Sequence, residues 1–63
     1  MALSEYDRAH VGDILRGMGD WYGAELLRCL DKLLAIADED NTAKLLRVFP
    51  EECSVVYNYY RDK

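Results

Sequence analysis

The sequence predicts an all-α fold, a small bundle of three to four short helices, on three observations. Apolar residues recur at i, i+3, i+4, i+7 almost throughout, the spacing of one helix face. Glycines, a run of acidic turn residues and the single proline separate these periodic stretches. The one β-prone run, Val55-Val56-Tyr57-Asn58-Tyr59-Tyr60, keeps a helical period and follows a Pro-Glu-Glu helix opening. At 63 residues the chain holds one domain, 1–63, with no internal repeat or low-complexity linker.

Residues 1–19 form an irregular or helical lead. Ser4 with Asp7 three residues on is an acidic variant of the capping box. Val11, Ile14, Leu15 and Met18 share one helical face, while Gly12 weakens the segment by about 1 kcal/mol relative to alanine. A short helix from Val11 is therefore expected, ended by Gly17 and Gly19 through the positive φ that helix C-caps favour.

The next helix, about 20–37, is the strongest in the sequence. Asp20 is its expected N-cap, with a carboxylate to accept from the free N–H groups of the first turn. Leu26, Leu27, Leu30, Leu33, Leu34 and Ala37 form a broad apolar stripe. Glu25–Arg28 and Arg28–Asp31 are i,i+3 opposite-charge pairs on the other side. The run Asp38-Glu39-Asp40-Asn41 opens a helix over about 40–49, with Ala43, Leu45, Leu46 and Phe49 on one side. Pro50 then starts a last helix, about 50–60, at the position where a missing N–H costs nothing. Glu51 and Glu52 favour its dipole, and the tail 61–63 is expected to fray. The expected core gathers Leu26, Leu30, Leu33, Leu45, Leu46, Phe49, Val56 and Tyr57.

Size and charge narrow the function. A chain of this length buries only about 60% of the surface its unfolded form exposes, yet 51% of the residues are hydrophobic. Small domains meet this shortfall with disulfides, metals or association, and homo-oligomerisation is the expectation here. On the last helix, Tyr57 and Tyr60 suit the core, while Val55 and Tyr59 form a second apolar strip suited to an interface. The formal net charge of −4 disfavours nucleic acid and anionic lipid. Apolar stretches are broken by charge well before the ~18 residues of a membrane span. Met1-Ala2-Leu3-Ser4-Glu5 shows no basic region followed by an apolar run, so no secretory signal is expected and the cytoplasm is the simple location.

Chemistry-bearing patterns are sparse. Cys29 and Cys53 are too few and too far apart for a disulfide scaffold or a zinc knuckle, and read as reduced core or interface thiols. Asp7-x-x-His10-x-x-Asp13 aligns ligand types on one helix face, but no second histidine completes a metal site. No nucleophilic triad spacing, Gly-rich phosphate loop or Cys-x-x-Cys occurs. The sequence therefore predicts no enzyme, no cofactor and no metal.

Two residue sets remain for binding. Trp21 and Tyr22 lie about 100° apart on a helix, so one is expected in the core and the other at a surface; Trp, Tyr and Arg are the types enriched at binding hot spots. Arg28, Lys32, Lys44 and Arg47 would form an anion pocket if their two helices folded side by side, or else a solvated charged face.

Gly19-Asp20-Trp21-Tyr22, Ala24, Leu26-Leu27-Arg28, Ala37-Asp38 with nearby Asn41, and Phe49-Pro50-Glu51-Glu52 together make a pattern over about two thirds of the chain. It resembles a family of very short bacteriophage and prophage proteins. The resemblance implies a compact protein of the bacterial cytoplasm during infection or lysogeny, and assigns no site. Phage proteins of this size often act by binding: they inhibit a host enzyme, block an immune effector or sequester a nucleotide signal. The expected function is thus a non-enzymatic binding protein that interferes with host defence or host machinery. One mechanism occludes a host protein with Trp21, Tyr22 and Tyr59. The other sequesters a nucleotide-derived signal, with Arg28, Lys32, Lys44 or Arg47 on phosphate and Trp21 or Tyr22 stacked on the base. Alternatives are a small DNA-associated regulator and a purely structural oligomerisation module.

Overall fold

The computed structural model describes residues 3–61 and contains, among them, five helices and no strand. These are α1 (Glu5–Ala9), α2 (Val11–Leu15), α3 (Tyr22–Ile36), α4 (Glu39–Val48) and α5 (Pro50–Arg61). The radius of gyration is 11.0 Å, about that of a packed chain of this length. The fold is all-α, as expected. No helix among the described residues is long and apolar enough to cross a membrane.

The lead resolves into two one-turn helices. Ser4 caps α1, its Oγ accepting from the Asp7 N–H at 3.0 Å. The chain breaks at His10, whose backbone leaves the helical region (φ −118°, ψ 24°). Gly17 and Gly19 then turn it with φ of +120° and +86°. Gly12 has a packing reason: a Cβ there would stand 3.1 Å from the Tyr59 ring.

α3 begins one residue later than Asp20 capping requires. Trp21 is the N-cap, extended at φ −85° and ψ 168°, and no side chain caps the helix. The indole is held elsewhere, as described below, and this sets where the helix starts. At α4 the Asp38 carboxylate accepts from the Asn41 N–H at 2.8 Å. Pro50 opens α5 as its first residue. Arg61 ends α5, and the expected fraying at 62–63 lies outside the described residues.

The core sits between α2, α3 and α5. Ile14, Ala24, Leu27, Leu30, Cys53, Val55 and Val56 are buried, with Leu3, Val11, Leu15 and Leu34 packed around them. Three residues expected inside are not: Leu33, Leu46 and Tyr57 are 45%, 38% and 44% exposed. Leu26, Leu45 and Phe49 are half-buried. The last helix is rotated relative to its expected face. Val55 and half-buried Tyr59 turn inward, while Tyr57 and Tyr60 face out. The open space over Gly12 accepts the Tyr59 ring and fixes that rotation.

α4 contributes no buried residue at all. Beside it, the end of α3 exposes Leu33 and 81% of Ile36, and Val48 is 67% exposed. This face departs from a closed core, and it borders a groove lined by Leu33, Ile36, Asn41, Lys44 and Leu45.

Candidate functional site

Trp21 and Tyr22 both lie at the surface, 37% and 64% exposed, so neither is the core residue expected of the pair. Indole burial is replaced by a polar anchor. Trp21 Nε1 donates to Asp7 Oδ1 at 2.8 Å, and Asp7 is itself 6% exposed. The benzo ring lies against Gly19, where any Cβ would overlap it. Gly23 admits the carboxylate, since a Cβ there would meet Asp7 Oδ2 at 2.5 Å. The two glycines flanking Trp21 are therefore demanded by the indole and by its carboxylate partner.

Tyr6, one residue before Asp7, meets Trp21 edge-to-face with ring centroids 5.8 Å apart. Its ring also stacks on His10 at 4.0 Å, and the His10 Nδ1 contacts the Tyr6 carbonyl at 2.8 Å. Edge-to-face and offset-stacked rings are the favoured aromatic geometries. His10 is thus an aromatic support. No group of three metal-ligating side chains gathers among the described residues.

These rings border a cleft of about 380 Å³ whose lining includes Tyr6, Asp7, Trp21, Tyr22, Leu26 and Glu52. Glu52, in the first turn of α5, is 6% exposed. Its neighbour Glu51 pairs with Arg8 and accepts from the Leu3 N–H at 3.1 Å, tying α5 to the N-terminal segment. Three helices thus bring together three aromatic rings and two buried carboxylates.

The basic residues are arranged differently from a phosphate pocket. Arg28 Nη1 donates to the carbonyls of Ile14 (3.0 Å) and Met18 (2.6 Å), and Nη2 to Gly19 (2.5 Å). Its Nη2 also pairs with Glu25 at 2.5 Å, the i,i+3 contact that the spacing predicts. The guanidinium ties together backbone carbonyls at and beyond the end of α2, so its donors are spent on the fold. Asp31, the other expected partner of Arg28, instead accepts from the Tyr60 hydroxyl at 2.7 Å. That hydrogen bond, with some burial and the Asp31 charge, raises the Tyr60 pKa. Lys32, Lys44 and Arg47 are exposed, and Lys44 lies on the α3–α4 groove. Neither hydrogen bond nor ion pair joins the four basic residues to one another among the described residues.

Tyr59 lies away from Trp21 and Tyr22, in a separate cleft with Arg8, Gly12 and Val55. The two cysteines differ in setting. Cys29 is exposed, contrary to a core thiol, because it falls on the outer face of α3. Cys53 is buried with its thiol toward the Leu45 carbonyl at 3.6 Å, and burial followed by the Glu52 charge pushes its pKa up.

The sequence reading missed Tyr6 and Glu52 as members of the cleft beside Trp21. Glu52 shares a helical face with Val55, Val56 and Tyr59 at i+3, i+4 and i+7, which was the available signal. Tyr6 offered none, because its link to Trp21 depends on the tertiary fold. Compared with protein families, with characterised proteins and with solved structures, the chain shows no match.

Proposed function

We propose that this chain is a non-enzymatic binding protein that acts by occluding a partner protein, with the Tyr6–Trp21–Tyr22 cleft as its contact surface. The observation that carries this reading is the exposed aromatic group held in place by the Trp21–Asp7 hydrogen bond. Rigid aromatic side chains at a surface bring large contact area with little ordering entropy, and such residues dominate interface energetics. Sequestration of a nucleotide signal is less well supported. Arg28, the arginine expected on phosphate, is engaged by three carbonyls and one carboxylate. On the resemblance to short phage proteins, the partner is a host protein of the bacterial cytoplasm.

Tagged protein and its Tyr22→Ala variant, passed through a bacterial lysate, test the reading. Tyr22 is mostly exposed, so the variant keeps the fold. A protein retained by the parent and lost by Tyr22→Ala, then reconstituted from purified components, is expected. Equal retention by both overturns the assignment of this surface. A saturable thermal shift with cyclic or ADP-ribose-type nucleotides, lost in Lys44→Ala or Arg47→Ala, would favour sequestration instead.

We further propose that the protein is a homo-oligomer joined through the α3–α4 face. A ten-residue amphipathic helix with no buried residue, beside exposed Leu33 and Ile36, leaves apolar surface that a second copy would cover.

A further inference from the structure

We infer that the Tyr6–Trp21–Tyr22 cleft is a receptor for a cationic side chain, an arginine guanidinium or lysine ammonium presented by the partner protein. This rests on the proposed partner-binding role of that cleft and assigns the chemistry of the group it takes.

Glu52 carries the argument. It is more than nine-tenths buried and lines the cleft. Its carboxylate makes no hydrogen bond or ion pair among the described residues. No buried side-chain oxygen is sealed off without a partner, so the Glu52 oxygens reach the cleft's own space. A carboxylate largely withdrawn from bulk water and without a cation beside it is one to which an arriving partner charge can bind. The dipole at the start of α5 offsets part of that cost, but supplies no counter-ion.

The surroundings fit the same ligand. Asp7, on the same cleft, adds a second carboxylate whose Oδ1 is used by the indole. Among the described residues that line the cleft none is basic, so none of them competes for the site. The nearest α1 cation, Arg8, is already paired with Glu51. Tyr6, Trp21 and Tyr22 offer ring faces and edges around the opening, and a cation over an aromatic face is attracted by the ring quadrupole. Aromatic rings lining a cleft together with carboxylates favour guanidinium and ammonium groups and disfavour phosphate. The chain's net charge of −4 attracts a basic partner at long range.

The test uses the protein as it stands and blocked amino acids as probes. Trp21 is the only tryptophan, so its fluorescence reports the cleft directly. N-acetyl-arginine amide and N-acetyl-lysine amide are titrated at low salt, with N-acetyl-citrulline amide as the neutral shape control. A saturable change with arginine or lysine, absent with citrulline, is expected. Glu52→Gln, nearly isosteric, should weaken that affinity about tenfold or more, as loss of a desolvated charge partner does. Tyr22→Ala, at an exposed position, should weaken it independently and covers the case in which Glu52→Gln unfolds. Equal responses to arginine and citrulline, or no saturable response to either cation, overturn the inference. If a partner is captured through Tyr22 yet bound equally by Glu52→Gln, the cation inference fails while the partner-binding reading stands. If neither capture nor titration depends on Tyr22, both fail.

Discussion

Trp21 Nε1 and Asp7 Oδ1 meet at 2.8 Å, closing a link between the start of α3 and the middle of α1. This bond fixes the only indole at the surface and sets the N-cap of the longest helix. Its removal in Asp7→Ala leaves the indole unpaired. We expect a loss of about 1–3 kcal/mol, the range for a hydrogen bond to a charged group together with its unsatisfied partner. Urea unfolding measures it, and a red-shifted Trp21 emission in the folded variant shows that the ring has come free. An unchanged spectrum would mean that Gly19 and Tyr6 alone position the indole.

Gly23→Ala inverts an ordinary rule. Near the start of a helix, alanine in place of glycine stabilises by about 0.5–1 kcal/mol. Here the new Cβ would stand 2.5 Å from Asp7 Oδ2 and 3.6 Å from Trp21 Nε1. The carboxylate must retreat and the indole bond weakens, so the variant is expected to melt below the parent. A melting temperature above the parent's would show that Asp7 relocates freely.

Arg28 distinguishes a structural from a binding cation. Its fork engages the carbonyls of Ile14, Met18 and Gly19. Arg28→Ala is therefore expected to destabilise by about 2–3 kcal/mol, as loss of charge-assisted bonds and exposure of helix-end carbonyls imply. Lysine offers no planar fork, so Arg28→Lys should recover only a minor part. Denaturant melts of the two variants decide it. Full stability in either would release Arg28 for a ligand.

The way these residues meet also marks what the sequence made legible. Local chemistry read well: the Ser4 cap, the glycine turn and the proline start of α5 depend on neighbours in the chain. The apolar period gave the helices and their class. Rotation about each helix axis read poorly, because it depends on packing between elements. Tyr59 turned inward since Gly12, in a separate helix, left room for it. Asp7 was legible as part of the Ser4 capping box and Glu52 as a charge favouring the dipole of the last helix, but their burial was not, because it follows from packing between helices; for Asp7 the contact is with Trp21, 14 residues on. The cleft is thus a tertiary property, whereas the helices that build it are local ones.

The two thiols should separate chemically. Cys29 is exposed and Cys53 is wholly buried with a raised pKa. A thiol reagent at neutral pH is expected to label one site rapidly, and the second only as the protein opens. The sign of the pH effect follows from the direction of the shift. The folded state holds the neutral Cys53 thiol more strongly than the unfolded chain does. That contribution is complete below the ordinary thiol pKa and is lost as pH rises through the raised value. Tyr60, raised by its bond to Asp31, acts in the same direction at higher pH. Melts should therefore show alkaline destabilisation, less in Cys53→Ala after correction for its smaller side chain. Fast labelling of both thiols would place Cys53 at an open surface.

Self-association is the last consequence. α4 is amphipathic yet buries nothing, while Leu33 and Ile36 lie open beside it. Covering such a face removes apolar area from water at about 25 cal/mol per Å², and an isologous pairing uses the same patch on both copies. Light scattering is expected to show a mass above that of the 7.3 kDa chain, falling on dilution. Ile36→Glu should shift the population to monomer without loss of helicity, since Ile36 is 81% exposed and supports no core contact in one chain. Tyr22→Ala, on the aromatic cleft, should leave the mass unchanged. A wild-type protein that is monomeric at every concentration rules out the α3–α4 pairing, and a mass that responds to Tyr22→Ala instead would move the self-contact to the cleft.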